Sequence, residues 1–129
     1  MLKHFLAAAM AATTGFAAPT VTAEQLRVIS LKDYAITIVD VRRADAYAES
    51  HIYGAINIPV SAIRNAKQPP AGLRKDRKTY FYCTCSDDGA SLRAAKLMHD
   101  RFGYTQVSAL HGGMYDWEDA GYPMTKPKR

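Results

Sequence analysis

The chain has little cysteine, and no histidine beside what it has. Its two cysteines, Cys83 and Cys85, stand one residue apart in "FYCTCSDDGASLRAAK". Two thiolates without a neighbouring histidine make a poor metal site, even for a soft ion such as copper(I), and no metal or other cofactor is expected. Basic residues stand in small groups, at Arg74, Lys75, Arg77 and Lys78 and again at Lys126, Lys128 and Arg129, for a formal charge of +5. They form no stripe interleaved with aromatics, which argues against a nucleic-acid partner. Apolar residues make up 48% of the chain, too many for a disordered one. At 129 residues there is room for one domain, and no internal repeat divides it.

No apolar run is long enough to cross a bilayer well. The nearest is the start, "MLKHFLAAAMAATTGFAAPT", interrupted by Thr13, Thr14 and Gly15. One early lysine, an apolar middle without acids and a small-residue exit are the layout of a secretory signal peptide. A cut after Ala17 puts Gly15 and Ala17 at the small-residue positions. A cut after Ala18 would put Pro19 next to the bond, and one after Ala23 would remove a helix cap, because Thr22 and Gln25 form a capping-box pattern. The expected layout is a signal segment over 1–17, a folded domain over 21–125 and a basic tail over 126–129. No cysteine lies near the exit, so no lipid anchor is expected after cleavage. Export would place the protein in an oxidising, periplasmic or extracellular setting.

The remainder alternates short strands with helices. "AITIVDV" at 35–41, "GAINIPV" at 54–60, "TYFYC" at 79–83 and "TQVSAL" at 105–110 read as strands. Asp45–Ser50 reads as a short helix with Tyr47 on its buried side. Ala90–Phe102 is the strongest helix: Leu92, Ala95, Met98 and Phe102 form an apolar stripe that Gly103 ends. The stretch 64–78 is largely loop, with a turn of helix before it, and Met114–Ala120 makes a short final helix. Such alternation predicts an α/β fold, a parallel sheet covered on both faces. Sites in these sheets form at the carboxyl ends of the strands, which singles out the segment after Tyr82.

Three segments resemble rhodanese-like domains. "IVDVRRADAYAESHIYGAINIP" is similar to that family's front signature, "YFYCTCSDDGASLRAAKLM" to its active-site strand, loop and helix, and "LHGGMYDWEDAGYP" to its closing segment. The resemblance covers about residues 21–125. It implies a five-stranded, mostly parallel sheet with helices on both faces. It also implies a sulfurtransferase in which a cysteine takes sulfane sulfur from a small donor, becomes a persulfide and passes the sulfur to a thiol or protein acceptor.

In that family the nucleophile lies eight residues before the arginine of a Ser-x-Arg-Ala-Ala helix start. Here the arginine is Arg93, and counting back gives Cys85; Cys83 is then read as buried strand interior. In an extended strand the two would sit roughly 6.5 Å apart, too far for a disulfide unless the backbone turns between them. The loop Ser86, Asp87, Asp88, Gly89, Ala90 and Ser91 is the candidate substrate cradle, its N–H groups and the following helix dipole favouring a thiolate. Asp40, Arg42 and Arg93 are supporting candidates, Asp40 ordering loops and Arg42 pairing with a carboxylate. His51 and Trp117 are read as structural.

This chain also departs from the resemblance. Active members commonly carry a cation in the loop, often Arg-Ser where Ala90-Ser91 stand here. Two carboxylates take its place, each raising the cost of a thiolate by ~1 kcal/mol or more when poorly screened and repelling an anionic donor such as thiosulfate. Ala46 and Ser50 replace a glutamate and a glycine common in the front signature. The phosphate-gripping Cys-x5-Arg of a related family is absent: that position is Ser91 from Cys85 and Gly89 from Cys83. The alternative to the sulfurtransferase is a module on the same fold that binds a partner through the acidic loop or cycles the cysteine pair with thiols, in company with a thiol-reducing partner.

Overall fold

The computed structural model describes residues 15–127. Most of the expected signal segment, and the end of the expected basic tail, lie outside that range. The main sheet contains β1 (Thr20–Val21), β2 (Ile36–Asp40), β4 (Ile56–Asn57), β5 (Lys78–Tyr82) and β6 (Val107–Leu110), in the order β1-β6-β5-β2-β4. Every pairing in it is parallel. A small antiparallel pair, β3 (His51–Ile52) with β7 (Met124–Thr125), lies beside it. The helices are α1 (Ala23–Lys32), α2 (Ala44–Glu49), α3 (Val60–Asn65), α4 (Gly89–Phe102) and α5 (Gly113–Asp119). The fold is thus the α/β, five-stranded parallel sheet with helices that the sequence predicts.

The period-2 alternation of β2 and β5 divides the core between two faces. Val39, Val41, Phe81 and Cys83 join Ala94, Ala95 and Met98 of α4 and Ile63 of α3 on one face. Ile38, Tyr80 and Tyr82 join Leu26 of α1 and Met114 and Trp117 of α5 on the other. Helix α1 begins at the expected capping box: Gln25 N–H donates to Thr22 Oγ1 at 3.1 Å, and Thr22 N–H to Gln25 Oε1 at 2.9 Å. At the expected exit of the signal segment, Phe16 stacks on His99 with ring centroids 3.7 Å apart, and Phe16 and Ala18 pack against the α4 face.

Three expectations need correction. The fifth strand of the main sheet is β1, two residues just ahead of the capping box and too short to leave a periodic signal. The strand expected over 54–60 shrinks to Ile56–Asn57, because the chain turns at Pro59 to start α3. Cys83 is not strand interior. The ladder stops at Tyr82, and the Cys83 carbonyl accepts instead from Met114 N–H in the first turn of α5, at 3.0 Å.

Candidate functional site

The central strand β5 delivers the chain to the carboxyl edge of the sheet, between β2 and β6. Beyond Tyr82 the backbone bends at Thr84 and turns through Ser86–Asp87 before entering α4 at Gly89. The bend brings the Cys83 and Cys85 Cα atoms to 5.6 Å, and the two sulfurs form a disulfide. This is the turn that an extended strand would have lacked. The two sulfurs differ in access: Cys83 is 3% exposed, whereas Cys85 is half-buried at the mouth of the loop. Ala90 N–H, in the first turn of α4, donates to Cys85 Sγ at 3.4 Å. Cys83 Sγ lies 3.7 Å from Ser91 Oγ, whose hydroxyl donates to the Asp88 carbonyl at 3.0 Å. Ser91 is fully buried.

The loop residues therefore play different parts. Gly89, Ala90 and Ser91 are the first turn of α4 rather than loop. Ser86 is exposed. Asp87 is exposed too, and its carboxylate accepts the Gly89 N–H at 3.0 Å, so a carboxylate of the chain itself occupies an amide that would otherwise be open to an anion. Asp88 is 4% exposed and stands at φ 59°, in the left-handed region that aspartate tolerates better than most residues. Its side chain makes no cap bond to its own helix. Its carboxylate reaches the turn after β6 instead, accepting from His111 Nδ1 at 2.8 Å and from Gly112 N–H at 3.1 Å. The expectation that both aspartates face the thiol loop as free charges is thus corrected: Asp88 is engaged by His111 and Gly112, and Asp87 is the exposed one.

Asp40 and Arg42 form a separate network at the same edge of the sheet. Asp40 is fully buried and accepts from Arg42 Nε at 3.0 Å, from Arg42 Nη2 at 2.6 Å and from the Tyr82 hydroxyl at 2.7 Å. Arg42 also donates to the Ser50 carbonyl, and the Tyr82 oxygen accepts Ile52 N–H at 3.0 Å. Burial works against the Arg42 charge, but the hydrogen bonds and charge of Asp40 outweigh it and hold the guanidinium above its ordinary range. Burial, then the Asp40 charge, push the Tyr82 hydroxyl far above the usual phenol value. None of the described side-chain bonds of this network reaches either cysteine. Arg93 is exposed in the second turn of α4, with no side-chain partner among the described residues. His51 stacks on Tyr47, centroids 3.7 Å apart, and its Nδ1 contacts the Tyr47 carbonyl at 2.8 Å.

His111 and Gly113 were not singled out from the sequence as site residues. Gly113 has φ +58°, and a Cβ there would overlap the Cys83 carbonyl oxygen. Two cues exist in the sequence: His-Gly-Gly directly follows a parallel strand, where such sheets gather their sites, and it falls in the closing segment of the resemblance. A cleft of about 340 Å³, lined in part by Arg27, Ser30, Leu31, Tyr34, Tyr53 and Trp117, lies by the start of β2 at the opposite end of the sheet. Neither cysteine lines it.

This frame is a sheet with a cysteine at the end of its central strand and a helix N-terminus behind the sulfur, and known proteins share its fold. The chain belongs to the rhodanese-like domain family, whose profile matches residues 22–120. It is similar to a "Putative thiosulfate sulfurtransferase" of Synechococcus elongatus, at 36% identity over 92% of this chain and 41% of that protein. It is also similar to the uncharacterised protein YqhL of Bacillus subtilis, at 34% identity over 62% of this chain and 59% of that one. The chain thus spans about four- to six-tenths of the length of these curated relatives. Among solved structures, the rhodanese-like domain of an Anabaena protein superposes with a TM-score of 0.70 at 29% identity, covering 84% of this chain and 80% of that one. The thiosulfate sulfurtransferase of Pseudomonas aeruginosa superposes with a TM-score of 0.68 at 28% identity, over 84% of this chain and 20% of that one. The family and these relatives support a sulfurtransferase type of function.

Proposed function

We propose that the protein is a sulfurtransferase that carries sulfane sulfur as a persulfide on Cys85 and hands it to a thiol or protein acceptor. The observation that carries this reading is the accessible Cys85 sulfur facing Ala90 N–H at the start of α4. A partial positive charge there favours the thiolate and the persulfide anion. The names of the relatives point to thiosulfate as donor, but Asp87 argues for a neutral, cationic or protein-bound donor. Its carboxylate already holds the Gly89 N–H and sets a negative charge beside the route to Cys85. Export to an oxidising compartment is part of the proposal, and there a thiol-reducing partner must open the disulfide before each cycle.

The test is intact mass after the reduced protein meets thiosulfate, polysulfide and a small-molecule persulfide in turn. One added sulfur, about 32 Da, is expected with at least one donor and is absent in Cys85→Ser. No adduct with any donor, either in wild type or in Cys83→Ser, would overturn the proposal. The second reading, a thiol-redox module, is favoured by the Cys83–Cys85 disulfide itself and would be left standing by that result.

A further inference from the structure

We infer that Cys83 is a resolving thiol, which discharges the Cys85 persulfide as hydrosulfide and closes the disulfide seen in the structure. The inference rests on the persulfide reading above and adds to it the fate of the sulfur. Cys83 and Cys85 are not merely neighbours in sequence. The bend at Thr84 sets their Cα atoms 5.6 Å apart, within the range a disulfide spans. The same backbone path therefore holds a reduced Cys83 within reach of Cys85 Sγ. Two contacts hold that path in place: the Cys83 carbonyl is tied to Met114 N–H, and its sulfur rests against Ser91.

Burial assigns the roles. Cys83 is 3% exposed, so neither donor nor external thiol reaches it directly. Cys85 is the accessible sulfur and takes the sulfane atom. The Cys83 thiolate then attacks Cys85 Sγ. A bond forms between the two Sγ atoms, and the bond from Cys85 Sγ to the outer sulfur breaks. The outer sulfur leaves with the electron pair as sulfide and takes up a proton, while Cys83 has given one up to become thiolate. The outer sulfur gains two electrons and the cysteine pair loses two, so the step needs no further reagent. Resetting needs two thiol equivalents from an external monothiol or dithiol. The first attacks Cys85, the exposed sulfur, and Cys83 leaves as thiolate.

A single-cysteine carrier would deliver its sulfur only to an acceptor that comes to it. A carrier with a resolving thiol releases hydrosulfide, and its turnover follows the thiol supply.

The experiment uses the full chain, reduced and freed of reductant without oxygen. It is loaded with sodium polysulfide, desalted, and followed by intact mass, free-thiol count and sulfide release. Wild type should release about one sulfide per loaded chain and lose both thiols together. Its adduct should live at least about tenfold less long than that of Cys83→Ser, since an intramolecular thiol acts at high effective concentration. Wild type kept without donor supplies the baseline for simple oxidation. A persulfide equally long-lived in wild type and Cys83→Ser would overturn the resolving role and leave the sulfurtransferase reading intact. An adduct in neither protein, with polysulfide or with the other donors named above, would overturn both. Retention of the adduct by Cys85→Ser and its loss in Cys83→Ser would overturn the assignment of roles. Should Cys83→Ser fail to fold, Cys83→Ala and the stoichiometry of sulfide to lost thiols in wild type decide the matter.

Discussion

Asp88, at the entry to α4, and His111, just past β6, are 23 residues apart in the chain and joined through Nδ1 at 2.8 Å. This contact, with the Gly112 N–H bond to the same carboxylate, ties the cysteine loop to the neighbouring strand end. It also takes one of the two loop carboxylates out of the role that its place in the sequence suggests.

Asp88→Ala should lower folding stability by about 2 kcal/mol. The Gly112 N–H loses its acceptor, and alanine tolerates the left-handed backbone poorly. Asp88→Asn keeps an acceptor and a residue suited to that backbone, so it should cost less than half as much. Urea denaturation of both variants checks this, and equal costs would show that the hydrogen bond and the backbone conformation are not what matter.

Asp87 should govern the donor. Removing ~1 kcal/mol of repulsion corresponds to about a fivefold gain in thiosulfate turnover. Asp87→Ala, which also frees the Gly89 amide, should gain more than Asp87→Asn, which removes the charge but can still accept that bond. Steady-state kinetics with thiosulfate and with an uncharged sulfane donor separate the two effects. Only the anionic donor should respond strongly.

Gly113→Ala should destabilise the fold by more than about 2 kcal/mol. Its backbone is left-handed, and a Cβ would strike the carbonyl of Cys83. The same change should slow closure of the Cys83–Cys85 disulfide, because it moves the residue that carries one sulfur. Thermal unfolding and thiol quantification after mild oxidation report the two consequences.

Tyr82 sets an alkaline limit. In the folded chain its hydroxyl keeps its proton far above the ordinary value of 10.0, through burial first and then the Asp40 charge. The unfolded chain gives up that proton near pH 10, so stability is full below that pH and falls as the pH rises through it. Tyr47, Tyr80 and Tyr104, raised mainly by burial, act in the same direction. Tyr82→Phe should flatten the fall. At neutral pH it should cost about 2 kcal/mol, since Asp40 loses a donor and Ile52 N–H its acceptor. Melting temperature against pH, for wild type and variant, is the measurement.

Much of the frame was legible in the residues. The apolar runs of β2 and β5, the stripe of α4 and the Thr22–Gln25 box are local patterns that each serve a single element. The run between Gly54 and Val60 reads as a longer strand than β4 because its apolar residues serve a turn and α3 as well. Strand β1 was missed because two residues carry no period; its partner β6 supplies the reason for its existence.

Sequence alone determined the family and the parallel α/β architecture, because each depends on patterns along the chain; the family resemblance pointed to Cys85 by its distance from the helix start. Tertiary structure decided the rest of the site. It alone shows that the chain bends at Thr84, so that Cys83 leaves the strand and bonds to Cys85. It alone sends one aspartate to His111 and Gly112 and the other to the amide of Gly89. Those outcomes depend on backbone direction at single residues and on contacts between segments far apart in the chain, and neither leaves a periodic trace in the order of the amino acids.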